Sequence, residues 1–207
     1  MKKIKLQALI EAAFFAAFAL ILDLLPSIQL GPWMSVSCAM LPIFILAFRW
    51  GFTVSVISGF IWGLLQVVTG DAYILNIVQF LIEYFVAFAF VGFAGLLYKQ
   101  IQIAFFAEKR KAKGLILAVL AVFLGSIARY FWHFLAGVVF WAEYAPEGMS
   151  PVIYSLVVNG ATMIGAAIFC SILIVLLLSA APRLIQRKGF DIETNKTTEA
   201  GTKLASR

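Results

Sequence analysis

Apolar residues run almost unbroken through Leu6–Leu25, Met34–Phe48, Thr53–Val68, Ile74–Leu97, Leu115–Phe140 and Pro151–Ala181, with polar breaks between them. A soluble domain cannot hide that much apolar surface and still present a wettable exterior. Of the 207 residues, 63% are hydrophobic and 13% charged, with a mean hydropathy of +1.01. In lipid, backbone polar groups must be paired inside helices or a closed barrel. These runs lack the alternation of barrel strands and approach the ~20 residues that cross a bilayer. The pattern predicts an all-α integral membrane protein with six transmembrane helices at those positions. The second run is short for a straight span, so a tilted, loop-capped or partly non-helical element is expected there.

The net charge of +6 would suit a nucleic-acid partner, but its distribution excludes one. Lys2, Lys3 and Lys5 open the chain, and Arg49 sits in a short turn. Lys99, Lys109, Arg110, Lys111 and Lys113 share one expected loop over 98–114, and Arg183, Arg187 and Lys188 follow the last apolar run. All of these flank spans on one side of an even-numbered bundle. The opposite loops, Pro26–Trp33, Thr69–Tyr73 and Trp141–Ser150, hold no Lys or Arg but contain Asp71, Glu143 and Glu147. The positive-inside rule then places both termini in the cytoplasm. Residues 1–188 form the expected transmembrane domain. Residues 189–207 turn polar and read as a disordered cytoplasmic tail.

Cys38 and Cys170 lie in apolar runs, far apart and without companion ligands, so they read as packing residues; no metal or cofactor is expected. No glycine-rich phosphate loop ending in Lys-Ser or Lys-Thr is present, so ATP-driven work would need another chain. One histidine, no His-Glu-x-x-His and no facing acidic pair argue against an intramembrane enzyme.

Inside a membrane, the informative residues are those that are expensive to bury. Glu11 and Asp23 sit near opposite ends of helix 1, where each can reach water. Glu83 lies well inside helix 4, with Gln79 one turn away on the same face. Arg129 and His133, four apart, share a face of helix 5. Two readings are open for Glu83: an ion pair with Arg129 that ties two helices together, or a carboxylate that neutralises a bound cation. Trp33, Trp62, Tyr73, Tyr84, Trp132, Trp141, Tyr144 and Tyr154 crowd the outer half. An interfacial belt accounts for some of them. Aromatic faces beside a buried carboxylate also suit a flat organic cation, which Asn159 and other polar groups would orient. In helix 1, Ala8, Ala12 and Ala16, and in parallel Ala13 and Ala17, form small-residue stripes that permit close helix approach, within the bundle or to another subunit.

Longer stretches carry a family likeness. They are Ile61-Trp62-Gly63, Thr69-Gly70-Asp71-Ala72-Tyr73-Ile74-Leu75, Glu83-Tyr84, Arg129-Tyr130-Phe131-Trp132-His133-Phe134, Ala136-Gly137, Phe140-Trp141, Tyr154-Ser155-Leu156 and Val158-Asn159-Gly160. With these the chain resembles, over residues 6–185, the thiamine-binding S-components of energy-coupling factor (ECF) vitamin transporters. The resemblance implies a bacterial cytoplasmic-membrane protein that binds thiamine near its outer face. Glu83 would neutralise the thiazolium, with Trp141 and His133 beside it, and Trp33, on a covering loop, Tyr73 and Tyr84 as further aromatic walls. Tyr154 and Asn159 would hydrogen-bond the ligand, although their spacing puts them on different helical faces. Arg129 stands where the family often has Lys. Ala13 and Ala17 would dock a transmembrane coupling subunit driven by two ATPases. An S-component for another small planar vitamin is the alternative.

Overall fold

A computed structural model describes residues 4–31, 34–70 and 72–187. Among them, six helical rods pack around a buried centre: α1 (Leu6–Asp23), α2 (Leu41–Trp50), α3 (Phe52–Val68), α4 (Ile77–Ala107), α5 (Lys111–Phe140) and α6 (Pro151–Ala180). Four of them, α1, α4, α5 and α6, are long and apolar enough to cross a membrane. The outside is as apolar as the inside. Ile10, Phe14, Val139 and Leu176 are all more than half exposed, which suits hydrocarbon rather than water.

α1 turns Ala8, Ala12, Ala16 and Ala19 inward, a spacing that keeps small side chains on one face. That face lies close enough to α3 for Ser58 Oγ to donate to the Ala12 carbonyl at 2.7 Å. Ala13 and Ala17 stay exposed on the outer side.

The second apolar run is only partly helical, one of the outcomes its shortness allowed. Met34–Val36 is not helical but forms strand β2, paired antiparallel with β1 (Ile28–Gly31), Ile28 opposite Val36 and Gln29 opposite Ser35. The helix starts only at Leu41, where Pro42 occupies the first turn, the position that tolerates a missing N–H. α2 is then about 15 Å long, roughly half a hydrocarbon core. Leu41 through Phe48 are all buried. A short central helix leaves room within the other half of the bundle, and the cavity lies there. Gly51, at φ +83°, makes the single-residue turn into α3, a conformation that glycine adopts without cost.

α4 differs from expectation. It continues ten residues past the predicted end at Leu97, so Lys99 is helical and the expected 98–114 loop shrinks to a short link before Lys111. The polar Lys99-Gln100-Gln102 run suggested a loop. Instead Ile101 and Gln102 are buried, and Gln102 Nε2 donates to the carbonyls of Phe48 (2.7 Å) and Ile185 (2.5 Å). The segment after α6 is thereby held under the bundle. Arg49 reinforces it, donating to Glu11 (2.7 Å) and to the Gln186 carbonyl (2.8 Å). Glu11 is therefore paired rather than simply solvated. The polar tail expected from residue 189 lies outside the described residues.

Candidate functional site

Asn76 opens α4 as its cap, accepting from the Val78 and Gln79 N–H groups at 3.0 and 2.9 Å, two donors that a helix start leaves unpaired. Gln79 is wholly buried. Its Oε1 accepts the Leu75 N–H at 3.0 Å, while its Nε2 donates to the Tyr73 carbonyl at 3.1 Å and to the Glu83 carboxylate. One carboxamide thus ties the loop before α4 to the acid inside it.

Glu83 and Tyr84 lie in a π-helical turn, Leu81–Val86. Such turns hold an extra residue and often occur at functional sites. α3 accommodates this one through Gly63: a Cβ there would lie 1.7 Å from the Tyr84 carbonyl oxygen. The absence of a side chain at Gly63 lets the α4 backbone approach and fixes where Glu83 emerges.

Two connected lobes meet at Glu83, His133 and Trp141. One, of about 160 Å³, is walled mainly by α5 and α6 and lined further by Tyr144, Tyr154, Ser155 and Asn159. Gly137 lets these helices close together, since its Cβ would sit 2.2 Å from Ser155 Oγ. Ser155 Oγ in turn donates to the Phe134 carbonyl at 2.8 Å, and Asn159 Nδ2 donates to the Ser155 carbonyl at 3.1 Å. The second lobe, of about 290 Å³, reaches α1 and α3 and is lined by Asp23, Gln66, Tyr84, Phe88 and Arg129.

The electrostatics correct one of the two readings of Glu83. Among the described residues no ion pair joins it to Arg129. The guanidinium lies 4.3 Å from the Phe88 ring centroid and 4.6 Å from that of Trp62, a cation–π sandwich. Its Nε donates to His133 Nε2 at 3.4 Å. A nitrogen that accepts must carry a lone pair, which Nε2 of a neutral imidazole supplies. Nδ1 faces Glu83 Oε1 at 3.9 Å, too far for a strong bond. The cavity thus holds two carboxylates, Glu83 and Asp23, against one guanidinium that is occupied elsewhere.

Tyr73, Trp141 and Tyr144 form a ladder at the mouth, with ring centroids 5.4 and 5.5 Å apart. Tyr84 Oη accepts the Tyr73 N–H at 2.8 Å. The nearby Tyr73 phenol raises the pKa of the Tyr144 hydroxyl above its ordinary value. Glu83, Tyr84, Arg129, His133, Trp141, Tyr154 and Asn159 are thus brought together, with Tyr73 at the rim. Tyr154 and Asn159 share the lobe despite their spacing because they flank Ser155 and Val158. Trp33 lies outside the described residues. Ala13 and Ala17 are on the outer face of α1, away from the cavity. Trp62 is buried beneath Arg129 rather than at an interface, and Trp132 packs on Phe90 and Phe131. Sequence reasoning missed Asp23, Gln66, Phe88 and Ser155. The first two were visible as polar residues within spans, but nothing local showed that they face each other.

Comparisons with known proteins give the chain a family. A family described as thiamine transporter protein (Thia_YuaJ) matches residues 9–186. The thiamine transporter ThiT of Bacillus subtilis is 39% identical over 184 residues, 88% of this chain and 95% of that protein. ThiT of Lacticaseibacillus paracasei is 36% identical over 188 residues, 89% and 92% of the two chains. The solved structure of ThiT from Listeria monocytogenes superposes with a TM-score of 0.83 at 39% identity, covering 87% of this chain and 97% of that one. The S-component for biotin from an ECF-type ABC transporter shares the fold at 20% identity, with a TM-score of 0.53 over 86% and 91% of the two chains.

Proposed function

The chain belongs to the thiamine transporter family, and from that premise we propose that it is the thiamine-capturing S-component of an ECF transporter. It is a multi-pass membrane protein and a transport component, not an enzyme. The observation that carries the reading is Glu83. Its carboxylate is mostly buried, is left unpaired by Arg129 and stands where both lobes meet beneath aromatic walls. A carboxylate in such surroundings is costly until a cation joins it. A flat monocation meets that need, because rings stack on Trp141 and the tyrosines while the positive centre faces Glu83.

Thiamine has this chemistry: a thiazolium carrying a single positive charge, linked to a second planar ring. In this reading His133 and Trp141 flank the thiazolium. Tyr73, Tyr84 and Trp33 complete the aromatic enclosure. Tyr154 and Asn159 supply hydrogen bonds, and Arg129 positions His133 rather than contacting the cation.

Six transmembrane helices with cytoplasmic termini follow from the one-sided distribution of Lys and Arg, in the cytoplasmic membrane of a bacterium. α2 is then a half-length span completed by the hairpin. The exposed Ala13 and Ala17 on α1 form the face for a transmembrane coupling subunit worked by two ATPases, with close approach permitted by the small side chains. Titration with thiamine and with an isosteric analogue in which an uncharged ring replaces the thiazolium tests the reading. Thiamine is expected to bind at least about 100-fold tighter, the scale of a buried charge interaction. Equal affinity would remove the role given to Glu83.

A further inference from the structure

A groove of about 190 Å³ runs between α5 and α6, lined by Ile127, Phe131 and Phe134 on one side and by Leu156, Gly160 and Met163 on the other. It is separate from both lobes of the ligand cavity, with Asn159 the single lining residue that it shares with them. Asn159 Nδ2 is committed to Ser155, donating to its carbonyl at 3.1 Å and to its hydroxyl oxygen at 3.2 Å, and the groove is left almost wholly apolar. Gly160 hollows it. Where Gly63 and Gly137 let neighbours pack against them, a Cβ at Gly160 would meet nothing within 4 Å. At about 1.5 Å per residue, residues 156–163 lie about 8–18 Å below the start of α6 at Pro151, and residues 127–134 about 9–20 Å below the end of α5 at Phe140. The two stretches match in depth. In the orientation that the charges give, they lie mostly in the outer half of a hydrocarbon core of ~30 Å.

The occupant follows from these walls. Water finds no hydrogen-bond partners in such a groove, and an empty groove would forfeit dispersion contacts along its length. A neighbouring helix is a poor fit. Helices associate in lipid through small residues that let their backbones approach, whereas Ile127, Phe131 and Leu156 rim this groove and are each more than half exposed. A narrow slot between bulky rims takes a thin, flexible chain. We propose that the groove is a lipid site that seats one acyl chain of an outer-leaflet lipid, lying along α5 and α6 behind the ligand cavity. At Asn159 the protein wall is then one side chain thick, with the cavity on one face and the acyl chain on the other.

The test places the full-length protein in phosphatidylcholine vesicles that contain a phosphatidylcholine with a photoactivatable diazirine midway along one acyl chain. After illumination, mass spectrometry maps the labelled residues. Phe60 and Leu64 on α3, also exposed and in the same outer half, give the level for ordinary contact with lipid. Residues 127–134 and 156–163 should be labelled at least about fivefold more, the ratio that roughly ten further carbon–carbon contacts supply. Gly160→Leu fills the groove from within and should bring its label down to the α3 level, with thiamine affinity unchanged as the sign of an intact fold. Label no richer in the groove than on α3 would overturn the proposal whatever the variant does. So would enrichment that survives in a folded Gly160→Leu protein. Groove label that falls as the protein-to-lipid ratio rises would assign the groove to a second copy of the chain and overturn the lipid site.

Discussion

Gly63→Ala places a methyl group where α3 has no room for one. The new Cβ would lie 1.7 Å from the Tyr84 carbonyl oxygen, 2.9 Å from its carbon and 3.2 Å from Phe88 Cβ. An ordinary carbon–oxygen contact needs roughly twice the first distance, so α3 and the π turn must part by about 1.5 Å. The obstacle is backbone, which no rotamer change relieves. Overpacking of a core typically costs about 1–3 kcal/mol, and a clash between two backbones belongs at the upper end. The displaced turn carries Glu83 and Tyr84, so affinity should fall by at least about tenfold even where the protein folds. Gly160→Ala is the matched control. It also lies within a helix, but its Cβ would meet nothing within 4 Å, and the change should stabilise by about 0.5–1 kcal/mol through helix propensity. Thermal unfolding in detergent, with and without thiamine, reads both effects. Equal stability and equal ligand-induced stabilisation in the two variants would refute the packing argument for the π turn.

Other perturbations separate the roles of the charged residues. Arg129→Leu removes a guanidinium stacked on Trp62 and Phe88 and should cost about 1–2 kcal/mol; a loss of about 3–5 kcal/mol, the signature of an orphaned ion-pair partner, would restore the pairing with Glu83. Arg49→Met leaves Glu11 and the Gln186 carbonyl without their donor and should lower stability by about 1–3 kcal/mol with ligand affinity unchanged, measured by chemical unfolding beside a thiamine titration. Replacing Ala13 and Ala17 with Leu should leave thiamine binding intact and abolish co-purification with the coupling subunit; retained co-purification would move the docking face elsewhere.

The helical rods were legible because long apolar runs leave the backbone few options in lipid, and their expected bounds fall within a few residues of α1, α3, α5 and α6. The hairpin at Met34–Val36 was not legible, since a short apolar segment fits strand and helix alike and its pairing partner is set by tertiary contacts. Nor was the extension of α4, because Gln102 is polar in sequence but is satisfied by carbonyls from two distant segments. The site was legible as a set of costly residues, Glu83, Arg129 and His133 among them. Their pairing was not, because helical spacing fixes which residues share a face of one helix but not what the next helix presents. That Arg129 turns to Trp62 and Phe88 depends on the close approach of α3 and α4, which the small residue at Gly63 permits.

The central claim is that Glu83 is a ligand-binding carboxylate in a thiamine-capturing cavity. Titrating purified protein with thiamine, while following tryptophan fluorescence from Trp141 and its neighbours, tests it most directly. Saturable quenching is expected in the unsubstituted protein. Glu83→Gln, which keeps the shape and removes the charge, should weaken binding by at least about 100-fold while the unliganded protein melts no lower. Unchanged quenching in Glu83→Gln, or none in a folded, monodisperse unsubstituted protein, would contradict the account.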